Sequence, residues 1–323
     1  MIIIITPNPA IDITYEVAHP RLNQVNRVTG VVRRPGGKGL NVASVLRQTR
    51  EVDGAPGRRV RISGFLGGRQ GEEMRELLGD WDAEQAWLDL GPGCPTRATV
   101  IVRDADGGAT GLYEPGAPVS PADWRALTDT ALEGAGRGDV LVVSGSCPPE
   151  TSAEDLGALL RAARGRGARV ILDTSGPLLV ACAGLADAMK PNREELAQAT
   201  GETSPAAGAV TLLERGVRAV MVSDGPRGMN LYVRGQDGPT VWHADAPDVP
   251  VVNPTGAGDS AVAAIAAFMD ARPEADPIDA RALGAAVALS VAAVRTPVAG
   301  LVDLETYTTL LPTMKVETHH VTD

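Results

Sequence analysis

Residues 139–173 read DVLVVSGSCPPETSAEDLGALLRAARGRGARVILD, and their rhythm decides the fold class. An apolar run, Asp139–Val143, is followed by an amphipathic stretch, Ala153–Arg166, and then by a second apolar run, Arg169–Asp173. Short apolar runs without polar alternation read as strands buried on both faces. A helical period between two of them is a βαβ unit. The rhythm extends in both directions. Ile2–Thr6, Arg61–Leu66 and Ala219–Ser223 read as further buried strands, and a short one enters Lys190-Pro191-Asn192. Helical patterns cover Leu40 to about Arg50, Glu72–Leu78, Ala122–Glu133, Pro177–Ala183, Glu194–Thr200 and Pro205–Arg215. The expected fold class is α/β, a three-layer sandwich whose central sheet is mostly parallel with helices on both faces.

Two early pairs of segments break this rhythm. Ile11–Val17 with Val25–Arg33, and Thr96–Arg103 with Thr110–Tyr113, alternate apolar and polar residues, as half-exposed antiparallel strands do. DADGG at 104–108 is a plausible hairpin turn for the second pair. Together they predict a small β-sheet projecting from the main body. Residues 1–314 are expected to form a single domain with lid segments at about 11–34 and 96–114, and 315–323 a loose tail.

Composition narrows the function classes. The 323 residues carry 30 Lys+Arg against 40 Asp+Glu, a formal charge of −10, with no long basic run. That balance argues against nucleic acid or an anionic membrane as partner. The longest nearly apolar stretch, Ala282–Val294, is too short for the ~20 residues of a membrane helix. Cys94, Cys147 and Cys182 are scattered, with no metal-ligand spacing, as suits free thiols in a reducing cytoplasm. Aromatics are only 3%, so the core must be built from Ala, Val, Leu and Ile.

The chemistry concentrates late in the chain. In PVVNPTGAGDSAVAAIAAF, residues 250–268, a strand is expected to feed Thr255-Gly256-Ala257-Gly258-Asp259 and then an Ala-rich helix. Glycines at such a turn let backbone approach an anion, and the first helical N–H groups favour negative charge. A carboxylate there can take a proton from a hydroxyl held before it. Equally, Asp259 can be read as a plain helix N-cap. Residues 256–261 also fit G-x-G-x-x-A, the dinucleotide fingerprint, but no acidic residue ends a following strand, and 272–277 reads as a loop. A nicotinamide-dependent oxidoreductase therefore rests on that match alone.

Arginine supplies 27 of the 30 cations, so the three lysines are informative. Lys38 lies within Gly36-Gly37-Lys38-Gly39 and Lys190 precedes Pro191-Asn192, contexts suited to a compact ammonium touching phosphate. Asn192 and Glu195 stand one turn apart. They could order water around Mg²⁺, or form a helix N-cap with Glu at its third position. Ser223-Asp-Gly225-Pro-Arg-Gly228 is either a tight turn or a nucleotide contact. Asp12 lies just past the carboxyl end of the first strand, where α/β sheets bind ligands.

In order along the chain, NPAID (8–12), GGKGLN (36–41), SGS (144–146), KPNREE (190–195), SDGPRG (223–228) and TGAGD (255–259) resemble the PfkB, or ribokinase-like, carbohydrate kinase family. The GGKG form with NPAID is most similar to its 1-phosphofructokinase and tagatose-6-phosphate kinase branch. The resemblance implies a ribokinase-like fold and ATP-dependent phosphorylation of a ketohexose phosphate: fructose 1-phosphate, tagatose 6-phosphate or fructose 6-phosphate. It makes Asp259 the general base and Gly256, Ala257 and Gly258 the anion hole. Asp12, Gly37 and Asn41 would meet the sugar, with Lys38, Arg97 and Arg27 as candidates for its phosphate. Lys190, Asn192, Ser223, Gly225, Gly228 and Thr255 would line the nucleotide site, with Glu195 ordering Mg²⁺ through water. It further implies a lid that closes over the sugar and mediates a homodimer. Asn253 stands where many relatives carry Asp, which speaks against a monovalent cation, and Asp224 replaces a common Leu. A non-catalytic sugar-phosphate or nucleotide-binding protein, or a kinase of another sugar, is the alternative on this fold.

Overall fold

Ile2–Thr6 forms β1, and every one of its side chains is buried. Alternate residues of a strand point to opposite faces, so a run with no polar member needs cover on both. Ile2 and Ile4 join one apolar core, Ile3 and Ile5 the other. The computed structural model describes residues 1–236, 238–272 and 278–320, with the side chains of 319 and 320 undescribed.

After β1 come β2 (Ala10–Glu16), β3 (Gly30–Gly36), α1 (Lys38–Thr49), β4 (Val60–Leu66), α2 (Gly68–Leu77) and β5 (Glu84–Asp89). β6 (Arg97–Arg103), β7 (Ala109–Tyr113), α3 (Pro121–Ala131), β8 (Val140–Ser144), α4 (Ala153–Gly165) and β9 (Arg169–Asp173) follow. Then come α5 (Pro177–Ala181), β10 (Ala188–Met189), α6 (Arg193–Thr200), α7 (Pro205–Glu214), β11 (Ala219–Ser223), β12 (Met229–Val233) and β13 (Thr240–Ala244). The chain closes with α8 (Ala257–Asp270), α9 (Ala280–Val294), α10 (Leu304–Leu310) and β14 (Glu317–His320).

The main sheet runs β14-β13-β12-β11-β10-β9-β8-β1-β4-β5. From β5 to β11 the neighbours are parallel; β12, β13 and β14 are antiparallel. One face packs on α1, α8 and α9 through residues such as Leu46, Ile265 and Val287; the other packs on α3, α4 and α7 through Leu127, Leu159 and Leu212. This is the ribokinase-like three-layer sandwich. Aliphatic residues dominate both cores, and Trp124 meets Phe65 edge-on at 5.1 Å.

The lid is a separate four-stranded sheet, β3-β2-β6-β7. Its two halves are hairpins, but β2 and β6 join them in parallel, with Ala10 opposite Arg97 and Glu16 opposite Arg103. Ile11 and Ile13 of β2 pack on the body's core, which leaves Asp12, Thr14 and Glu16 on the opposite face.

Several sequence expectations are corrected. The segment before Thr255 is not a strand but an extended loop. β5 was not expected, because EQAWLD is half-exposed at the edge of the sheet. The second lid strand begins at Gly30 rather than Val25, and residues 20–29 are loop. The expected loose tail instead contributes β14, pairing Trp242 with Thr318. Of the loop expected over 272–277, residues 273–277 lie outside the described residues, as do 321–323 of the tail. No described helix is long and apolar enough to cross a membrane.

Candidate active site

A cleft of about 1560 Å³ opens between the lid and the carboxyl ends of the parallel strands. Ligand sites commonly occupy ~300–1,000 Å³, so this one has room for two small molecules side by side.

At its floor, α8 begins on Gly256, whose φ of +92° is left-handed. A Cβ there would come within 3.0 Å of the Ala299 backbone, so the position suits glycine on two counts. No side chain caps this helix. Its first-turn amides therefore face the cleft as a positive end without a competing acceptor. The turn is pinned from below: Ser260 donates to Gly256 O at 3.0 Å and Ser290 of α9 to Ala257 O at 2.7 Å. Asn253 braces the approach, accepting from Thr255 N and donating through Nδ2 to Pro297 O at 3.2 Å.

Asp259 lies in the first turn, not at the cap, so the plain N-cap reading does not hold. It is 6% exposed, and its Oδ2 accepts from Asn41 Nδ2 at 2.7 Å. Burial pushes its pKa up to about 6, helped by the Asp173 carboxylate and opposed by Asn41, Lys38 and Lys190. Lys190, 3% exposed, closes the other side, its Nζ 3.2 Å from where a Cβ on Gly258 would sit.

Asn192 and Glu195 adopt the capping arrangement that their spacing allowed. Asn192 Oδ1 accepts from Glu195 N at 2.7 Å and Glu195 Oε2 from Asn192 N at 3.0 Å. Glu195 Oε1 remains free to reach Lys38 Nζ at 3.0 Å, and Lys38 also lies 3.7 Å from Asp173. Burial opposes the Lys38 charge, yet Asp173, Glu195 and Asp259 hold its pKa above the ordinary lysine range. Glu195 moves the other way: the cost of burial is outweighed by Lys38 and the Asn192 N–H. The helix-cap and ligand readings of Glu195 are thus both realised, by different oxygens.

On the lid wall, Asp12 is raised to about 6 by burial, partly offset by Arg97 and Thr99. Arg97 donates to Asn8 O at 3.1 Å and to Glu114 O at 3.0 Å, which fixes it as a hinge brace. Gly37, with φ +122°, turns the chain into α1 beside Thr6. Ser223, Gly225, Gly228 and Thr255 also line the cleft. Gly228 cannot carry a side chain, since a Cβ would meet Ala244 O at 2.0 Å. Asp224, also on the cleft wall, pairs with Arg227 and Arg193.

One candidate is not brought in. Arg27 sits in the exposed 20–29 loop and is absent from the cleft wall. Among the lining residues that the sequence did not single out are Asp173 and Arg34. Asp173 ends β9 at 1% exposure, holding Ser144 Oγ at 2.8 Å on one oxygen while the other lacks a hydrogen-bond partner. An acidic residue closing an apolar run, at the carboxyl end of a strand where α/β sheets bind ligands, was its available signal. Arg34 had none, because it is one of 27 arginines in a strand whose register was misplaced.

A buried carboxylate beside uncapped helix amides, two lysines and a two-ligand cleft under a β lid define a phosphotransferase of the ribokinase-like fold. The family model for pfkB family carbohydrate kinases matches residues 6–301, and the chain belongs to that family. It is 35% identical over 308 residues to the 1-phosphofructokinase of Haloferax volcanii, covering 92% of this chain and 93% of that protein. Phosphofructokinase-2 from Escherichia coli in complex with fructose-6-phosphate superposes with a TM-score of 0.82 at 26% identity, covering 96% of this chain and 97% of the other. The same enzyme in complex with potassium gives 0.84 at 27%, with the same coverage. The chain is a sugar kinase of the phosphofructokinase type.

Proposed function

We propose that this kinase transfers the γ-phosphoryl group of ATP to a free hydroxyl of a ketohexose phosphate, with fructose 1-phosphate the first candidate. Tagatose 6-phosphate and fructose 6-phosphate are the competing acceptors. The observation that carries the reading is Asp259 itself, buried in the first turn of α8 beside amides that no side chain caps. Asn41 holds Oδ2, so Oδ1 is left to receive the proton of the acceptor hydroxyl. As that oxygen bonds to the γ-phosphorus, the bond to the β–γ bridging oxygen breaks and ADP leaves. The amides of 256–258 and Lys190 stabilise the charge on the transferring group, where most phosphoryl-transfer catalysis resides. The carboxylates here are hard oxygen donors suited to Mg²⁺. Glu195, through water, and Asp173, whose Oδ1 is buried without a hydrogen-bond partner, would hold it. Bound Mg²⁺ supplies charge neutralisation on the phosphates.

The amide of Asn253 supports independence from monovalent cations, because it donates to the Pro297 carbonyl and adds no negative charge. Exposed Leu22, Val25, Leu112 and Tyr113 on the lid and its loop support a homodimer formed there. Three free thiols fit the cytoplasm. The deciding experiment measures ADP release with Mg-ATP against the three ketose phosphates and free hexoses, with and without potassium. Turnover of one phosphorylated ketose, equal in both salts, is expected. Binding without turnover across the panel would instead indicate a non-catalytic relative.

The pH profile carries a sharper expectation. Asp259 must be ionised to accept a proton, and Asp12 to accept sugar hydroxyls. Both are raised to about 6, so kcat/KM should fall below that pH, approaching 100-fold per unit. Asp12→Asn should reduce the slope to tenfold per unit. A wild-type limb of unit slope would remove one of these carboxylates from the reaction.

A further inference from the structure

We infer that Gln48, outside the cleft, is a positioning residue for phosphoryl transfer: it docks residues 296–302 against Asn41 and Gly256, and through them sets the aim of Asp259 and of the anion-hole turn. This rests on the reading of Asp259 as the general base. Gln48 stands seven residues after Asn41 on α1, two turns along the same face and roughly 10 Å away. Its Nε2 donates to Gly300 O at 2.7 Å, and its Oε1 accepts from Val302 N at 3.2 Å. A carbonyl and an N–H two residues apart need one partner that both donates and accepts. A neutral amide does so; a carboxylate, an ammonium or a thioether does not. Ser44 O, 3.0 Å from Nε2, fixes the side chain on its own helix.

The segment that Gln48 holds is braced within itself. Thr296 Oγ lies 2.8 Å from Ala293 O and 3.1 Å from both Val298 O and Leu301 O, so the chain curls about that hydroxyl. The flanking charges, Arg295 and Asp303, pair with each other at 3.3 Å. Two parts of the catalytic apparatus rest on this unit. A Cβ on Gly300, whose φ is +79°, would come within 2.9 Å of Asn41 Oδ1 and 3.2 Å of Asn41 Cα. From the other side, a Cβ on Gly256 would stand 3.1 Å from Gly300 N. Asn41 in turn bonds Asp259, and Gly256 opens α8. Asn253 ties the near end of the unit, at Pro297 O, to the approach of α8. Gln48 ties its far end to α1. Without that amide the Gly300 carbonyl and the Val302 N–H lose their partner, and the 300–302 end is released to shift on Asn41. Close-packed interiors pass such shifts on instead of absorbing them.

Gln48→Met keeps the length of the side chain and removes both bonds. With Mg-ATP and the ketose phosphate that wild type turns over, fructose 1-phosphate first, it should lower kcat about 10- to 100-fold. KM for ATP should stay within about twofold. Gln48→Glu keeps the bond from Val302 N but sets a carboxylate against Gly300 O, and should lose at least as much. Ser44→Ala removes only a hydroxyl 3.2 Å from Nε2 on the same helix, and should stay within about twofold of wild type. In an Asn41→Ala background the Gln48→Met loss should shrink to about threefold or less, because the contact it works through is gone. Hydrogen exchange reads the same coupling without turnover: amides 256–260 should exchange faster in Gln48→Met, with those of β1 unchanged. Turnover within about twofold of wild type in both Gln48 variants would overturn the inference and leave the kinase reading standing. An undiminished loss in the Asn41→Ala background, or faster exchange throughout the core, would overturn it too, by making Gln48 a purely structural residue. If wild type phosphorylates no ketose phosphate, the functional reading falls and this inference with it.

Discussion

Asp259→Asn is expected to lower kcat by about 10²- to 10⁴-fold, the usual range for a lost general base, and at the same time to stabilise the folded chain at neutral pH. The two effects have one origin. Burial raises the carboxyl to about 6, above its ordinary 3.8, so the folded chain binds that proton more tightly than the unfolded chain does. Stability therefore falls as pH rises from about 4 to 6, and at pH 7 the buried anion costs on the order of 2–3 kcal/mol. An amide removes that cost and still accepts from Asn41. Thermal melts should show Tm higher by roughly 2–6 °C at pH 7, with the difference vanishing near pH 4. Near-normal turnover would take Asp259 out of the base role, and a lower Tm at pH 7 would show that the site relieves the buried charge by other means.

Lys38→Met should produce the second large effect, through the carboxylates it serves. Asp173 is 1% exposed and loses a cation 3.7 Å away, and Glu195 loses a 3.0 Å partner. Because Lys38 is itself partly open to solvent, the expected destabilisation is about 1–2 kcal/mol, less than for a fully buried pair. The lysine pKa is raised in the folded chain, so the stability it lends is fully present below the ordinary lysine value. The loss should thus be visible across the neutral range. Asp259 loses one of the charges that restrain its pKa, so the acid limb of kcat/KM should move above about 6, and turnover at pH 7 should fall by about tenfold for each unit that the limb passes that pH. A limb that stays in place, with an unchanged Tm, would show that Lys38 is not coupled to this cluster.

What was legible in the sequence was local. TGAGD announces its own geometry, because glycines before a helix have few other uses, and the apolar runs of β1, β8 and β9 declare burial on both faces. The lid's existence also showed in its alternating polarity. Less legible was whatever depends on residues distant in sequence. β5, β12 and β13 lie toward the sheet's edges, where partial exposure dilutes the pattern, and β14 is an edge strand paired with β13. That Asn41 would bond Asp259, or that Lys38 would face Glu195, follows from α1, α6 and α8 converging at one end of the sheet. No spacing along the chain encodes that convergence. Arg27 shows the converse: a residue can stand in a recognisable neighbourhood of sequence and still lie outside the cleft.

The parallel pairing of β2 with β6 also has a kinetic side. Ala10 and Arg97 are 87 positions apart, and closing a loop of that length costs about 4 kcal/mol of chain entropy before any contact repays it. Neither hairpin alone holds a whole lid, since each lacks its inner neighbour, and a lone two-stranded ribbon is marginal in water. Both must be carried into register by β1, β4 and the helices between them. The acceptor's half of the cleft is thus expected to form late in folding, on a body already in place.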